Sequence, residues 1–456
     1  MLPRDTKLKK VLIIARAFPP FFPVGFSIRV VKFIKYLPSL GWLPVVLTID
    51  DQKEYETMRK VGSETLLSEI PPQVKLYRTP AGEPSLKFLE KEREFGQGNW
   101  LRRLIAEALG GARRWTFRNV FLPDRYLAWL PFAVRRGREI VGSEGIDVIF
   151  ATCPPHSAAL VGAFLKLLTG KPLILDFRDD WIGTPQYHSK STIRRMIERR
   201  MESWVVKIAD KVILVTEWSK DKFLNRYPKE PNDKFIFIPN GCDLEEFAVL
   251  NSMAAVPSNS KFTIVHAGTL EDSKSMTRSP ATLFRAVHQL LQQQPELADD
   301  MALVFAGNFP EGIRRLADEL GLSGVVKPLG NRPHDDVLRL AKSADLLLVI
   351  ATEGLPTAIP GKIYECWAVG GPPILLLSCP GAATHLLEQY RLGFTVHPAD
   401  VRGIQKAILT VYSQSQTTEP VRISTVGIEA YDRRVLACKL SQILSLVSDR
   451  RQLIGF

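Results

Sequence analysis

Short, uninterrupted apolar runs recur along this chain, and each is followed by a turn and then a stretch of helical periodicity. KKVLIIARA (9–17), LPVVLTI (43–49), DVIFAT (147–152), PLILDF (172–177) and DKVILVT (210–216) fall in the first half. FTIVHAGTL (262–270), MALVFAG (301–307), DLLLVI (345–350) and PPILLL (372–377) fall in the second. A strand with one wet face alternates apolar and polar residues, so runs without alternation describe strands buried on both faces, as in a parallel sheet. Parallel neighbours need helical crossovers, so strand, helix, strand repeated in both halves predicts two doubly wound α/β domains. The 456 residues are also too many for one ordinary core. Between the halves, AVLNSMAAVPSNSKF is small, polar and broken by proline, which predicts a first domain over 1–247, a linker over 248–260 and a second domain from 261 to 429.

In sheets of this kind ligands lie beyond the C-terminal ends of the strands, so the loops there are where chemistry is sought. The richest is the stretch DLLLVIATEGLPTAIPGKIYECWAVGGPPILLL, where a strand over 345–350 leads through Pro356 and Pro360 into a helix over 361–369, closed by Gly370 and Gly371. Lys362 and Glu365 are three apart on one helix face. The pair reads either as a solvated ion pair or as a cation for a diphosphate with a carboxylate for a ribose diol. After FTIVHAGTL, Gly268 opens a loop carrying Lys274 and Arg278 to the start of another helix, where two cations and the helix dipole can act on one anion. Gly330, Asn331 and Arg332 form a turn after a further strand.

In the first half, the loop FPPFFPVGFSIR before a helix over 30–40 holds the single Gly25, not the Gly-x-Gly-x-x-Gly of a dinucleotide dehydrogenase. His156 follows two prolines after the strand DVIFAT and opens a helix at Ser157, as a structural or a catalytic histidine. Asp179 and Asp180 beside Arg178 suit Mg²⁺, a general base or a structural ion pair. From 50 to 100 the sequence is polar and aperiodic, as a surface insertion would be, and 100–118 is a basic amphipathic segment. That segment either packs on its domain or lies on an anionic bilayer surface.

PGKIYECWAVGGPPILLL, with HAGTL, IPNG and DFRDDW, resembles the retaining GT-B glycosyltransferases of family 4, the glycosyl transferases group 1, over most of the chain outside 50–100. The resemblance implies a GT-B fold, two Rossmann-like domains facing across a cleft, with the last helix, 430–456, packing back on the first domain. It implies transfer of a sugar from a nucleotide diphosphate sugar, UDP above all, with retention of configuration and without metal. It assigns Glu365 to the donor ribose, Arg278 with Lys274 or Lys362 to the departing diphosphate, and His156 to the reacting face of the donor sugar. Gly25 and Gly268 would approach the donor, and Asn331 and Arg332 the base. The family's Glu, seven residues, Glu motif is incomplete: the first Glu position holds Thr357, and backbone groups of Ala358 and Ile359 are expected to take over its contact with the sugar hydroxyls.

The net charge of +12 favours an anionic partner, and no zinc-finger or RNP-like motif suggests nucleic acid. Five widely spaced cysteines imply reduced thiols, and no Cys or His cluster has zinc spacing. No run of eighteen apolar residues appears, and the first run reads as a strand, so a cytoplasmic protein is expected, with peripheral membrane contact through 100–118. The partners expected are a nucleotide sugar and a saccharide or lipid-linked acceptor, and no cofactor beyond the donor. A GT-B sugar-nucleotide epimerase and a non-catalytic nucleotide-sugar-binding scaffold are the alternatives.

Overall fold

The computed structural model describes residues 8–21, 24–50, 63–81, 122–184, 191–252, 261–270, 278–416 and 421–454. Two compact units account for the chain, the first formed by Met1–Val215, Lys220–Ile238 and Ala437–Phe456, the second by Thr216–Ser219 and Pro239–Leu436.

Among the described residues the first unit is built on seven strands, β1 (Lys9–Ile14), β2 (Trp42–Asp50), β3 (Lys75–Pro80), β4 (Val148–Cys153), β5 (Leu173–Phe177), β6 (Lys211–Leu214) and β7 (Phe235–Phe237). They lie in the order β3-β2-β1-β4-β5-β6-β7. Every pairing is parallel. Helices Leu130–Glu144, Ser157–Thr169 and Thr192–Ile208 cover it, burying Ala133, Ile140, Ala159, Leu165 and Val205 against Leu47, Ile149 and Leu173. The strands at the centre are buried on both faces, which is why they read as continuous apolar runs. β3 lies inside the stretch expected to be an aperiodic insertion. It is an edge strand with the polar sequence KLYRTP, with β2 its one neighbour among the described residues, and it carries no apolar run to betray it.

The second unit holds β8 (Phe262–Ala267), β9 (Met301–Ala306), β10 (Val326–Gly330), β11 (Leu346–Ile350), β12 (Ile374–Leu377) and β13 (Gly393–Val396). Their order is β10-β9-β8-β11-β12-β13, again all parallel. Successive strand residues point to opposite faces. Ile264, Leu346, Leu348 and Leu375 pack with the helices Ala281–Gln293 and Val401–Ser415. Val265, Leu347, Val349 and Leu376 pack with Gly361–Val369 and Ala382–Tyr390 on the other side.

Two boundaries differ from expectation. The first helix runs Val24–Tyr36 and passes into a 3-10 turn at Leu37–Leu40, six residues earlier than its apolar run suggested. Buried Ser27 and Arg29 extend its inner face backward, and a buried polar residue leaves no mark in a hydropathy pattern. The expected linker starts inside the helix Leu244–Ser252, and the second unit begins at Pro239, because Phe247 belongs to its core. At the other end, the residues from Ala437 onward cluster with the first unit. There the Trp42 indole N–H donates to Ser445 Oγ at 3.3 Å and Lys9 pairs with Asp449.

Among the described residues no helix is long and apolar enough to cross a membrane. The segment 100–118 and Lys274 lie outside the described residues.

Candidate functional site

In each sheet the strand order reverses at one place, between β1 and β4 in the first unit and between β8 and β11 in the second. Such a reversal opens a crevice at the strand ends, because the two flanking loops leave in opposite directions.

At the β1/β4 crevice, Arg178, just after β5, ties the end of β4 to the first turn of the helix Val24–Tyr36. Its guanidinium donates to the carbonyls of Pro154, at 2.6 Å, and Phe26, and its Nε to Cys153 O at 3.2 Å. Gly25 therefore sits in the first turn of a helix tied to the β4 loop. Nothing lies within 4 Å of where a Cβ on Gly25 would stand, so no protein neighbour demands glycine there. His156 precedes the helix Ser157–Thr169 and is buried, its ring stacked on Trp181 at 4.9 Å with an interplanar angle of 7°.

Three carboxylates near this crevice are structural. Asp180 takes a two-pronged contact from Arg226, at 3.0 and 3.1 Å, and Arg226 also holds buried Glu202 at 2.6 Å. Burial pushes Glu202 up to about 7 against the pull of Arg226. Of the alternatives open for Asp179 and Asp180 beside Arg178, the structural ion pair describes Asp180, with a partner 46 positions on. Asp176, hidden inside the run PLILDF, is held by Arg29 at 2.9 Å and by Thr152 Oγ1 at 2.8 Å.

At the β8/β11 crevice, Arg278 performs the joining. Its Nε donates to Thr352 Oγ1 at 2.8 Å, linking the loop after β8 to the loop after β11. Gly268 ends β8 at φ 157° and Gly307 ends β9 at φ 133°. A Cβ on Gly307 would stand 2.1 Å from the Gly268 carbonyl, so the two turns approach as closely as bare backbone allows.

The helix Gly361–Val369 follows the same loop. Ile363, Tyr364, Trp367 and Ala368 turn inward, and Gly370 at φ 63° stops it, as the sequence predicted. Lys362 Nζ lies 2.7 Å from Glu365 Oε2, with the side chains 39% and 23% exposed. The charge of Glu365 raises the Lys362 pKa above that of an ordinary lysine, so Lys362 is a cation at neutral pH.

His266, quoted within HAGTL but given no role, lies in β8 with Nδ1 3.0 Å from Leu348 O of β11. A carbonyl only accepts, so Nδ1 carries the proton. Burial lowers the His266 pKa to about 4, and the charges of Lys362 and Arg278 push the same way. A histidine ending a strand at the order reversal was the available signal.

Of the backbone groups expected to stand in for the missing glutamate, one is already engaged within the loop. The Ala358 amide donates to Leu355 O at 3.1 Å. Thr357 is buried, its carbonyl accepting from Thr216 Oγ1 at 2.7 Å. Ile359 packs against the core of the unit. Asn331 and Arg332 are exposed and follow β10, the edge strand two places from β8. The next helix brings His334 to Glu246 at 3.3 Å, and Glu246 raises the His334 pKa. The described candidates therefore form two groups, Gly25 with His156 in the first unit and the others in the second.

Comparison with known proteins agrees with both halves of this layout. Residues 25–241 match the glycosyl transferase 4-like domain and residues 253–425 match glycosyl transferases group 1. D-inositol 3-phosphate glycosyltransferase of Nocardioides is 26% identical over 269 residues, 51% of this chain and 56% of its own. That of Corynebacterium kroppenstedtii is 26% identical over 223 residues, 44% of this chain and 48% of its own, so the chain spans about half the length of these curated relatives. Sucrose-phosphate synthase from Thermosynechococcus elongatus shares the fold with a TM-score of 0.60 at 17% identity, covering 98% of this chain and 99% of its own. Two doubly wound units with matching family models in both place this chain among the GT-B glycosyltransferases of family 4.

Proposed function

We propose that the protein is a retaining hexosyltransferase that moves a sugar from a nucleoside diphosphate donor, UDP above all, to a saccharide or lipid-linked acceptor without a metal ion. The observation that carries the proposal is the arrangement at the β8/β11 crevice, with Arg278 across the two loops and Lys362 in the first turn of the helix that follows. As the anomeric C–O bond breaks, negative charge grows on the departing phosphate. Two fixed cations and the amides opening the helix Gly361–Val369 stabilise that charge without reorganising. Lys274, Gly268, Asn331 and Arg332 would complete the donor contacts, with Glu365 accepting from the ribose diol. The acceptor hydroxyl attacks from the face the phosphate leaves, and its proton passes to a phosphate oxygen. His156 in the first unit would orient the sugar.

The curated relatives are named for a phosphorylated cyclitol acceptor, and the net charge of +12 suits an anionic acceptor here as well. The test is UDP release from UDP-sugars with and without acceptors, in EDTA, with the product anomer read by NMR. Acceptor-dependent release, insensitive to EDTA and giving the donor's own anomeric configuration, is the expected result. An inverted product or dependence on a divalent ion would refute the mechanism. Acceptor-independent conversion into another sugar nucleotide would make the protein an epimerase, and binding without turnover a scaffold.

A further inference from the structure

One face of the first unit carries apolar side chains that its core does not use. On the helix Ser157–Thr169, Phe164, Leu167 and Leu168 stand three and four residues apart, 38%, 60% and 52% exposed. Ala159, Ala163 and Leu165 already supply the inward face of that helix. The Phe164 ring meets Trp204 at 5.3 Å, which joins this row to the helix Thr192–Ile208. There Ile193 and Met196 are 68% and 46% exposed. Exposed single leucines are ordinary, but several exposed apolar side chains on two adjoining helices are not.

The same face is basic. A groove of about 700 Å³ along the second helix is lined by Arg195, Met196, Arg199, Arg200, Trp204 and Lys207. On the far side of Leu168, a second groove of about 650 Å³ is lined by Arg135 and Arg138. Of the carboxylates near by, Glu198 pairs with Arg194, Glu202 with Arg226 and Asp210 with Lys166, while Glu139, which lines the second groove, pairs with Arg135 there and with Arg136. No carboxylate among the described residues pairs with Arg199, Arg200 or Lys207.

We infer that this face docks on an anionic lipid bilayer, with the row from Phe164 to Met196 entering the headgroup boundary and the arginines on either side meeting lipid phosphates. An amphipathic surface needs both features to hold a bilayer, apolar side chains that leave water and cations that lower the surface charge. Nucleic acid would use the cations but gain nothing from Leu167 and Leu168, which is why lipid is the better match. None of its residues is among the crevice residues named above, and none belongs to 100–118.

The test is flotation of the full chain with vesicles of phosphatidylcholine alone or with one quarter phosphatidylglycerol. Wild type should float with the anionic vesicles, less so as salt rises, and hardly with the neutral ones. Each basic residue at such a surface contributes roughly five-fold to binding, so Arg199→Glu with Arg200→Glu should weaken it by about 25-fold or more. Leu167→Ser with Leu168→Ser should weaken it too. Both variants change only exposed side chains, and an unchanged circular dichroism spectrum would verify that they fold. Wild-type binding to vesicles by both variants would overturn the inference, placing any lipid contact elsewhere on the chain. So would equal retention of wild type and the leucine variant on heparin or duplex DNA without vesicle binding, or a wild-type dimer that the leucine changes dissociate.

Discussion

Lys362 and Glu365 should separate when challenged with ligands of different charge. A phosphate oxygen about 4 Å from Lys362 Nζ is attracted by about 4 kcal/mol at the effective dielectric of a protein surface. Lys362 is 39% exposed and already shares its charge with Glu365 at 2.7 Å. Screening and that competition reduce the net gain to about 1–2 kcal/mol, or roughly 5- to 30-fold in affinity. Lys362→Met should therefore weaken UDP by this factor in isothermal titration while leaving uridine, which has no phosphate, within about two-fold. Glu365→Gln should do the reverse. It removes a charged acceptor from the ribose diol, worth about 1.5 kcal/mol for either ligand. It also releases Lys362 to the phosphates, so UDP should lose less than uridine. If Lys362→Met weakened uridine as much as UDP, or left UDP untouched, the diphosphate would not lie against this helix, and the donor geometry argued from it would be wrong.

Other residues give further expectations. Arg29→Met would strand Asp176, with side chains 2% and 1% exposed, and should cost about 3–5 kcal/mol of stability in urea unfolding, with Arg29→Met/Asp176→Asn recovering part. Glu144 is held down to about 2 by the hydroxyl of Tyr77 and by Lys75 and Lys10. A depressed carboxylate stabilises the fold above its ordinary value and loses that as pH falls toward the folded one. Glu144→Gln should thus cost at most about 3 kcal/mol near pH 7, a deficit that disappears between about pH 4.5 and 2; a constant deficit would refute the assignment. Gly307→Ala must displace the Gly268 carbonyl and adopt an unfavourable φ. It should destabilise the second unit by about 1–3 kcal/mol and weaken UDP, and unaltered melting and affinity would refute the close approach.

The sequence made the elements legible where the local signal was complete. The helix Gly361–Val369 was readable to the residue because Pro360 precedes it, Gly370 ends it, and its apolar residues keep the helical period. The strand runs were legible because burial on both faces leaves no polar alternation to confuse them. What stayed hidden is pairing over long separations. Arg29 meets Asp176 across 147 positions and Arg178 meets Phe26 O across 152, and no periodicity records such a meeting. β3 was hidden by its polar edge sequence, and the domain boundary by a composition shift that follows Phe247 instead of preceding it.

The position of Thr357 shows what a departure from the family pattern does physically. The motif it resembles puts a carboxylate here, on a loop that must hold its shape beside the donor. In this chain the same loop is fastened three times over, by Thr216 Oγ1 to the Thr357 carbonyl, by the Ala382 amide to Pro356 O at 2.8 Å, and by the Ala358 amide to Leu355 O at 3.1 Å. Gly381 permits the second of these, since a Cβ there would stand 2.4 Å from Pro356 O. The loop is therefore fixed by its own backbone, and its rigidity does not depend on a bound sugar. The side chain at 357 is turned into the protein instead of outward. Of the two acids in the motif only Glu365 remains, and its charge is balanced at 2.7 Å by Lys362. With Arg278 on one loop and Glu353 on the other, the described charges around this crevice balance, so a diphosphate held here would draw on the placement of Arg278 and Lys362 and not on an excess of positive charge.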